Sequence, residues 1–245
     1  MIRTLIVAVL GLALSACNVA LPSAVDVAPF ETRTPAMPFA EGVYCGLQPG
    51  EDDVLRVAAG EQESCGEFLW NFEARLFRVI NGGRGQQTVA LVDLGGGLLL
   101  IQLSSGEEER PDDVFSNTLA TVSVNDSALA LIPVVNNEQV KTFAAKYPGI
   151  VLGSYAEGHG DPSAPPTTAY YVADGEPEDI RGLVRDMALA MLRNLIGEID
   201  QKGLAPEHGI PVMVRSELGL ANHPPTPAQQ QDIDALMLKL RAMVE

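Results

Sequence analysis

The sequence predicts an α+β fold: an antiparallel β-meander sheet with two or three helices packed on one face, and one disulfide. Residues 68–80 alternate with the period of a half-buried strand, and short apolar runs separated by turn formers continue to residue 134. Two apolar stripes at three- and four-residue spacing follow, one over 180–199 and one over 233–244. Cys45 and Cys65 supply the pair from which the disulfide is read.

The chain opens with Met1-Ile2-Arg3-Thr4, runs through an apolar stretch from Leu5 to Leu14, and reaches Ser15-Ala16-Cys17. A basic start, a short apolar core and small residues at the cut make a secretory signal. The stretch falls short of the ~20 residues that cross a bilayer, so it is read as removable. Leu14-Ser15-Ala16-Cys17 resembles the lipobox of bacterial lipoproteins, and the resemblance covers the first seventeen residues. It implies diacylglycerol on the Cys17 thiol, cleavage between Ala16 and Cys17, and fatty acylation (palmitate, for example) of the new amino group. A single chain binds a membrane marginally, whereas two or three on one residue anchor stably. Enterobacterial sorting retains lipoproteins that carry aspartate after the cysteine. By the same resemblance Asn18 implies the outer membrane, with the protein facing the periplasm. The folded domain carries no family pattern beyond this signal.

Residues 17–40 contain Pro22, Pro29, Pro35 and Pro38 among small and polar residues, and are expected to be a flexible tether. The domain is expected over 41–203, β-rich to residue 135 and mixed over 136–203. Phe68, Trp70, Phe72, Ala74, Leu76 and Ile80 share one face of a single long strand, with Asn71, Glu73 and Arg75 opposite. Asn81-Gly82-Gly83 reads as a tight turn and Thr88–Leu94 as the returning strand. Gly95-Gly96-Gly97 breaks that run before a strand over Leu98–Leu103. Further strands are expected over Val114–Val124 and Ala128–Val134, with a polar loop over Ser104–Asp113.

Val140, Phe143, Ala144 and Tyr147 mark a short helix ended by Pro148 and Gly149. Short strands are read at Ile150–Ser154 and Ala169–Val172, around a Gly/Pro-rich loop. Glu176-Pro177-Glu178-Asp179 is an acidic helix start, and Gly203 stands just past the helix end. Residues 204–245 read as a Pro/Gly-rich loop and a C-terminal helix. That helix opens with a capping box at Thr226-Pro227-Ala228-Gln229. Its stripe of Ile233, Leu236, Met237, Leu240, Met243 and Val244 makes the 227–244 helix the candidate for docking an envelope partner.

Loss of residues 1–16 removes Arg3 and no acid, leaving 15 Lys+Arg against 32 Asp+Glu, a formal charge of −17. Nucleic acid, which requires basic patches, is excluded as a partner. With Cys17 acylated, Cys45 and Cys65 remain as an even pair in an oxidising compartment, and a bridge would add roughly 3 kcal/mol. Two buried free thiols are the alternative. A zinc site is short of its four ligands.

No motif assigns an activity. Glu157-Gly158-His159-Gly160-Asp161 puts three metal-binding types in one loop without an established spacing or a fourth ligand, and a solvated loop is the better reading of the same residues. Glu107-Glu108-Glu109 with Asp112 and Asp113 lacks the alternation and glycine of an EF-hand. Ser104-Ser105-Gly106 is not a nucleophile elbow, and Gly82-Gly83-Arg84-Gly85 sits in a hairpin, not before a helix. His208 and His223 stand apart from these clusters. No catalytic residue, metal set or cofactor is assigned. The expected function is a lipid-anchored envelope lipoprotein that binds or scaffolds another component. The alternative is a membrane-anchored hydrolase with a site assembled from loops near His159. A small-ligand binder would show a deep apolar cavity.

Overall fold

The computed structural model describes residues 20–49, 55–58, 65–81, 85–105, 117–125, 127–134, 137–157, 167–203, 210–216 and 223–245. Its strands are β1 (Leu21–Ser23), β2 (Gly42–Pro49), β3 (Leu55–Val57), β4 (Cys65–Asn71), β5 (Leu76–Asn81), β6 (Gly85–Gly95), β7 (Leu98–Ser105), β8 (Asn117–Val124), β9 (Ala128–Ile132), β10 (Val151–Glu157), β11 (Thr167–Asp174) and β12 (Val212–Ser216). The helices are α1 (Gln139–Ala144), α2 (Pro177–Lys202) and α3 (Pro227–Ala242).

The expected open meander does not form. β4 to β9 run as antiparallel neighbours, and β12 then inserts between β9 and β2, which pairs β4. Eight strands thereby close into a barrel, which leaves no free edge along that ring. β8 makes the closure possible by dividing its outer edge. Thr121–Val124 pair with β9, while Asn117–Leu119 pair with β1, which leads on to β11 and β10. The reason an open sheet fails is visible along β7 to β9. Alternate residues face two different cores, and both faces are buried. Leu99, Ile101, Leu103, Ala120, Val122, Leu129 and Leu131 fill the barrel interior with Phe68, Trp70 and Phe77. Leu98, Leu100, Leu119, Ala128, Ala130 and Ile132 point outward under the helices.

Within the expected loop and helix of 204–245, the described Val212–Ser216 form β12, a stave of the barrel, and α3 covers it. α3 begins with the Thr226/Gln229 capping box, and α2 ends on Gly203 in the left-handed region, as their sequences predict.

The single strand expected over 68–80 is two strands. Asn71 Oδ1 accepts the amides of Glu73 and Ala74 at 3.0 and 2.9 Å, and Arg75 takes a left-handed φ of 51°. The turn shifts the parity. Phe77 and Val79 face inward, Ile80 faces out, and Phe72 stands 74% exposed at the tip. Cys45 and Cys65 are Cα partners across β2 and β4 and form the disulfide, which disposes of the free-thiol alternative.

The described part of the expected tether, residues 20–40, is packed into the fold. Leu21, Val27 and Ala28 are fully buried, and β1 lies between β8 and β11. Prolines block regular helix here, yet side-chain acceptors satisfy the backbone. Gln102 Oε1 takes the amides of Val27 and Ala28, while its amide nitrogen donates to Asp26 and Asn117 at 2.8 Å each. The strap then crosses the outer wall, bonding Leu91 O through the Thr34 amide and Ala74 O through Arg33. It ends by inserting Phe39 into the barrel, stacked on Phe77 at 4.4 Å and edge-on to Tyr44 and Phe68.

The meander puts three turns at one end of the barrel: β4–β5, β6–β7 and β8–β9. The strap reaches this hairpin end, and β1 is entered from it, because Leu21 pairs with Leu119 and Ser23 with Asn117. No helix among the described residues is long and apolar enough to cross a membrane.

Candidate binding recess

The β6–β7 turn is built from glycine because its backbone demands it. Gly95, Gly96 and Gly97 all have positive φ, at 82°, 67° and 84°, and the Asp93 carboxylate accepts the Gly95 amide at 2.7 Å. Two positive-φ residues in the centre, Gly96 and Gly97, give the turn whose twist suits a hairpin. Gly97 has a second constraint. A Cβ there would stand 2.4 Å from Cε of Lys239, so the bare glycine is the bed on which the α3 lysine lies.

Around this turn opens a recess of about 370 Å3, lined by Gly95, Gly96, Leu98, Arg185, Leu189, Lys239, Ala242 and Met243. α2 contributes Arg185 and Leu189, spaced one helical turn apart on the same side. α3 contributes the other wall. The lining is apolar except for two cations and glycine backbone, and none of these residues is acidic.

Lys239 is half-buried, and its ammonium donates to Val124 O at 2.8 Å. An ammonium has three donors, so two remain. Burial pulls its pKa below the ordinary lysine value, while the Asp93 charge opposes that shift. Arg185 is exposed, and among the described residues no hydrogen bond holds it. A guanidinium and an ammonium beside an apolar wall suit an anionic head with an apolar tail.

The sites expected from sequence fare unevenly. Cys17 and Asn18 lie outside the described residues, as do Glu107–Asp113, His159, Asp161 and His208. The metal loop and the loop-built hydrolase site therefore have no described geometry at His159. His223 is described: its Nδ1 faces Pro224 O at 2.7 Å, and its backbone bridges to Val57. No cluster of metal-binding side chains occurs among the described residues. The α3 stripe is not offered to a partner. Ile233, Leu236, Met237 and Leu240 are buried on the barrel, because the outward residues of β9 and β12 are apolar and need covering. Nor is the barrel interior a ligand cavity. Aromatic rings fill it, leaving a void of about 10 Å3 with purely apolar walls.

Sequence reasoning missed the recess because Arg185, Lys239 and Gly97 are far apart along the chain. The one available signal was the polar Lys239 between Leu236 and Leu240, beside the apolar stripe. No known protein family, curated protein or solved structure matches this chain.

Proposed function

We propose that this protein is a lipid-anchored envelope lipoprotein, held by acylated Cys17 at the periplasmic face of the outer membrane, and that its barrel is a non-catalytic binding module. Its ligand is a small amphipathic anion, taken up in the recess between the β6–β7 turn, α2 and α3.

The observation that carries this reading is the meeting of Arg185 and Lys239 in one apolar-walled recess on a chain of net charge −16. Two cations in the lining, offset only by Asp93 beside it, favour an anion there. Leu98, Leu189 and Met243 offer an apolar tail about 25 cal/mol per Å2 of buried area. The scaffolding role loses its expected element, since α3 already covers the barrel.

Calorimetry with decyl phosphate, decanoate and decanol tests the reading. The two anions are expected to bind and decanol is not. Arg185→Ala with Lys239→Met is expected to weaken the anions at least about tenfold, the equivalent of one lost charged contact. Equal affinities for decanol and decanoate, or an unchanged affinity in the double variant, would sink it.

A further inference from the structure

We propose that the hairpin end of the barrel is a membrane-contacting rim, with Phe72 and Phe30 seated in the headgroup region of a phospholipid bilayer. This rests on the anchoring of Cys17 proposed above.

The chain's own geometry selects this end. β1 is entered from the hairpin side, and Cys17 precedes Leu21 by four residues. Extended chain of that length spans at most ~14 Å. From Leu119, the partner of Leu21, to the end of β8 at Val124 is five residues, or about 17 Å of strand. An acylated Cys17 therefore reaches no farther than about the level of the hairpin end. With the strap packed instead of loose, the lipid brings the barrel to the bilayer with that end nearest.

The residues at this end suit a lipid surface. Phe72, 74% exposed, tips the β4–β5 turn, and Phe30, 43% exposed, projects from the strap. The Arg75 guanidinium lies over the Phe30 ring at 4.5 Å, so aromatic surface and a cation are presented together. Met37 on the same strap is 38% exposed. At the strap and the β4–β5 turn Arg33 and Arg75 offset Glu31 and Glu73, so the part of the rim that carries Phe30 and Phe72 is balanced, while Asp93 and Asp232 lie by the other two turns. Aromatic side chains with a polar neighbour favour the membrane interface. The recess also lies at this end, beside the β6–β7 turn, which brings its mouth near the lipid from which an amphipathic anion would come.

The molecule carries its own reporter. Trp70 is the only tryptophan, and its ring packs edge-on against Phe72 at 6.3 Å. Mature protein isolated from its host is mixed with phosphatidylcholine vesicles whose acyl chains are brominated near the headgroup. Loss of Trp70 emission is expected. Phe72→Ser and Phe30→Ser are expected to restore it while the protein still sediments with the vesicles. Leu238→Ser, at a 69% exposed site on α3, is expected to leave the quenching unchanged. Unquenched Trp70 in sedimenting protein would overturn the rim and leave the anchor standing. If the protein fails to sediment and Cys17 has the mass of a free cysteine, the anchor reading fails. The rim is then still decided by quenching at excess vesicles.

Discussion

Gln102 on β7 binds the strap through one oxygen, accepting the amides of Val27 and Ala28 at 2.8 and 3.0 Å. Its amide nitrogen donates to Asp26 and Asn117, and Arg181 on α2 reaches Val27 O at 3.1 Å. One buried side chain thus joins the strap, β8 and β7, and Arg181 extends the link to α2.

Replacing Gln102 with leucine keeps the size and removes that acceptor. The buried Val27 amide loses its acceptor and Asn117 Oδ1 loses a donor, while Ala28 keeps Asp26 Oδ1, and each unsatisfied buried group costs about 1–3 kcal/mol. Gln102→Leu is therefore expected to lower unfolding stability by roughly 2–4 kcal/mol in urea titration. Hydrogen exchange at Val27 and Ala28 should accelerate more than at the β6–β7 ladder. Unchanged protection at Val27 would mean that the strap is held elsewhere.

Phe39 fills the barrel from the strap, not from a wall strand. Phe39→Ala is expected to cost about 3–5 kcal/mol, as for other buried phenylalanines. The cavity it leaves is apolar and should bind benzene, detectable as a rise in melting temperature with the ligand present. A variant that loses little stability and binds no benzene would show that the strap collapses into the gap.

Recess binding should depend on pH with a definite sign. Burial lowers the Lys239 pKa, so its charge is lost at a pH below the ordinary lysine range, where an exposed lysine titrates near ~10.4. Affinity for decyl phosphate is expected to be highest below that point and to fall as pH rises through it. The same linkage bears on folding. A depressed lysine pKa disfavours the folded state while the group is protonated, and that penalty is relieved as pH rises. Lys239→Met should remove the step in affinity. A step that survives in Lys239→Met would assign the titration to another group.

The helices were legible because their signals are local. Thr226 and Gln229 cap α3, Pro177 and Gly203 bracket α2, and apolar spacing marks the buried faces. The barrel was not legible, because closure depends on β12 reaching Cys45 on β2 and Ala128 on β9 across long stretches of chain. Val212-Met213-Val214 is too short a run to announce a strand. The Asn71–Leu76 turn was hidden by Phe72 and Ala74, which continue an apolar alternation although one caps an exposed tip. The strap was misread for a related reason. Four prolines argue against regular structure, but they do not argue against burial when Gln102 supplies the missing acceptor. The recess shares this limitation, since proximity of Arg185 to Lys239 is decided by helix packing alone.

β1 makes few bonds, yet it joins Leu119 on one side and Val172 on the other in opposite strand senses. Under the proposed anchoring, tension from Cys17 would draw β1 along its own length. Its bonds to both neighbours are then strained together in shear instead of peeling one at a time. Loaded in that direction, the three residues of β1 hold through both neighbouring strands at once.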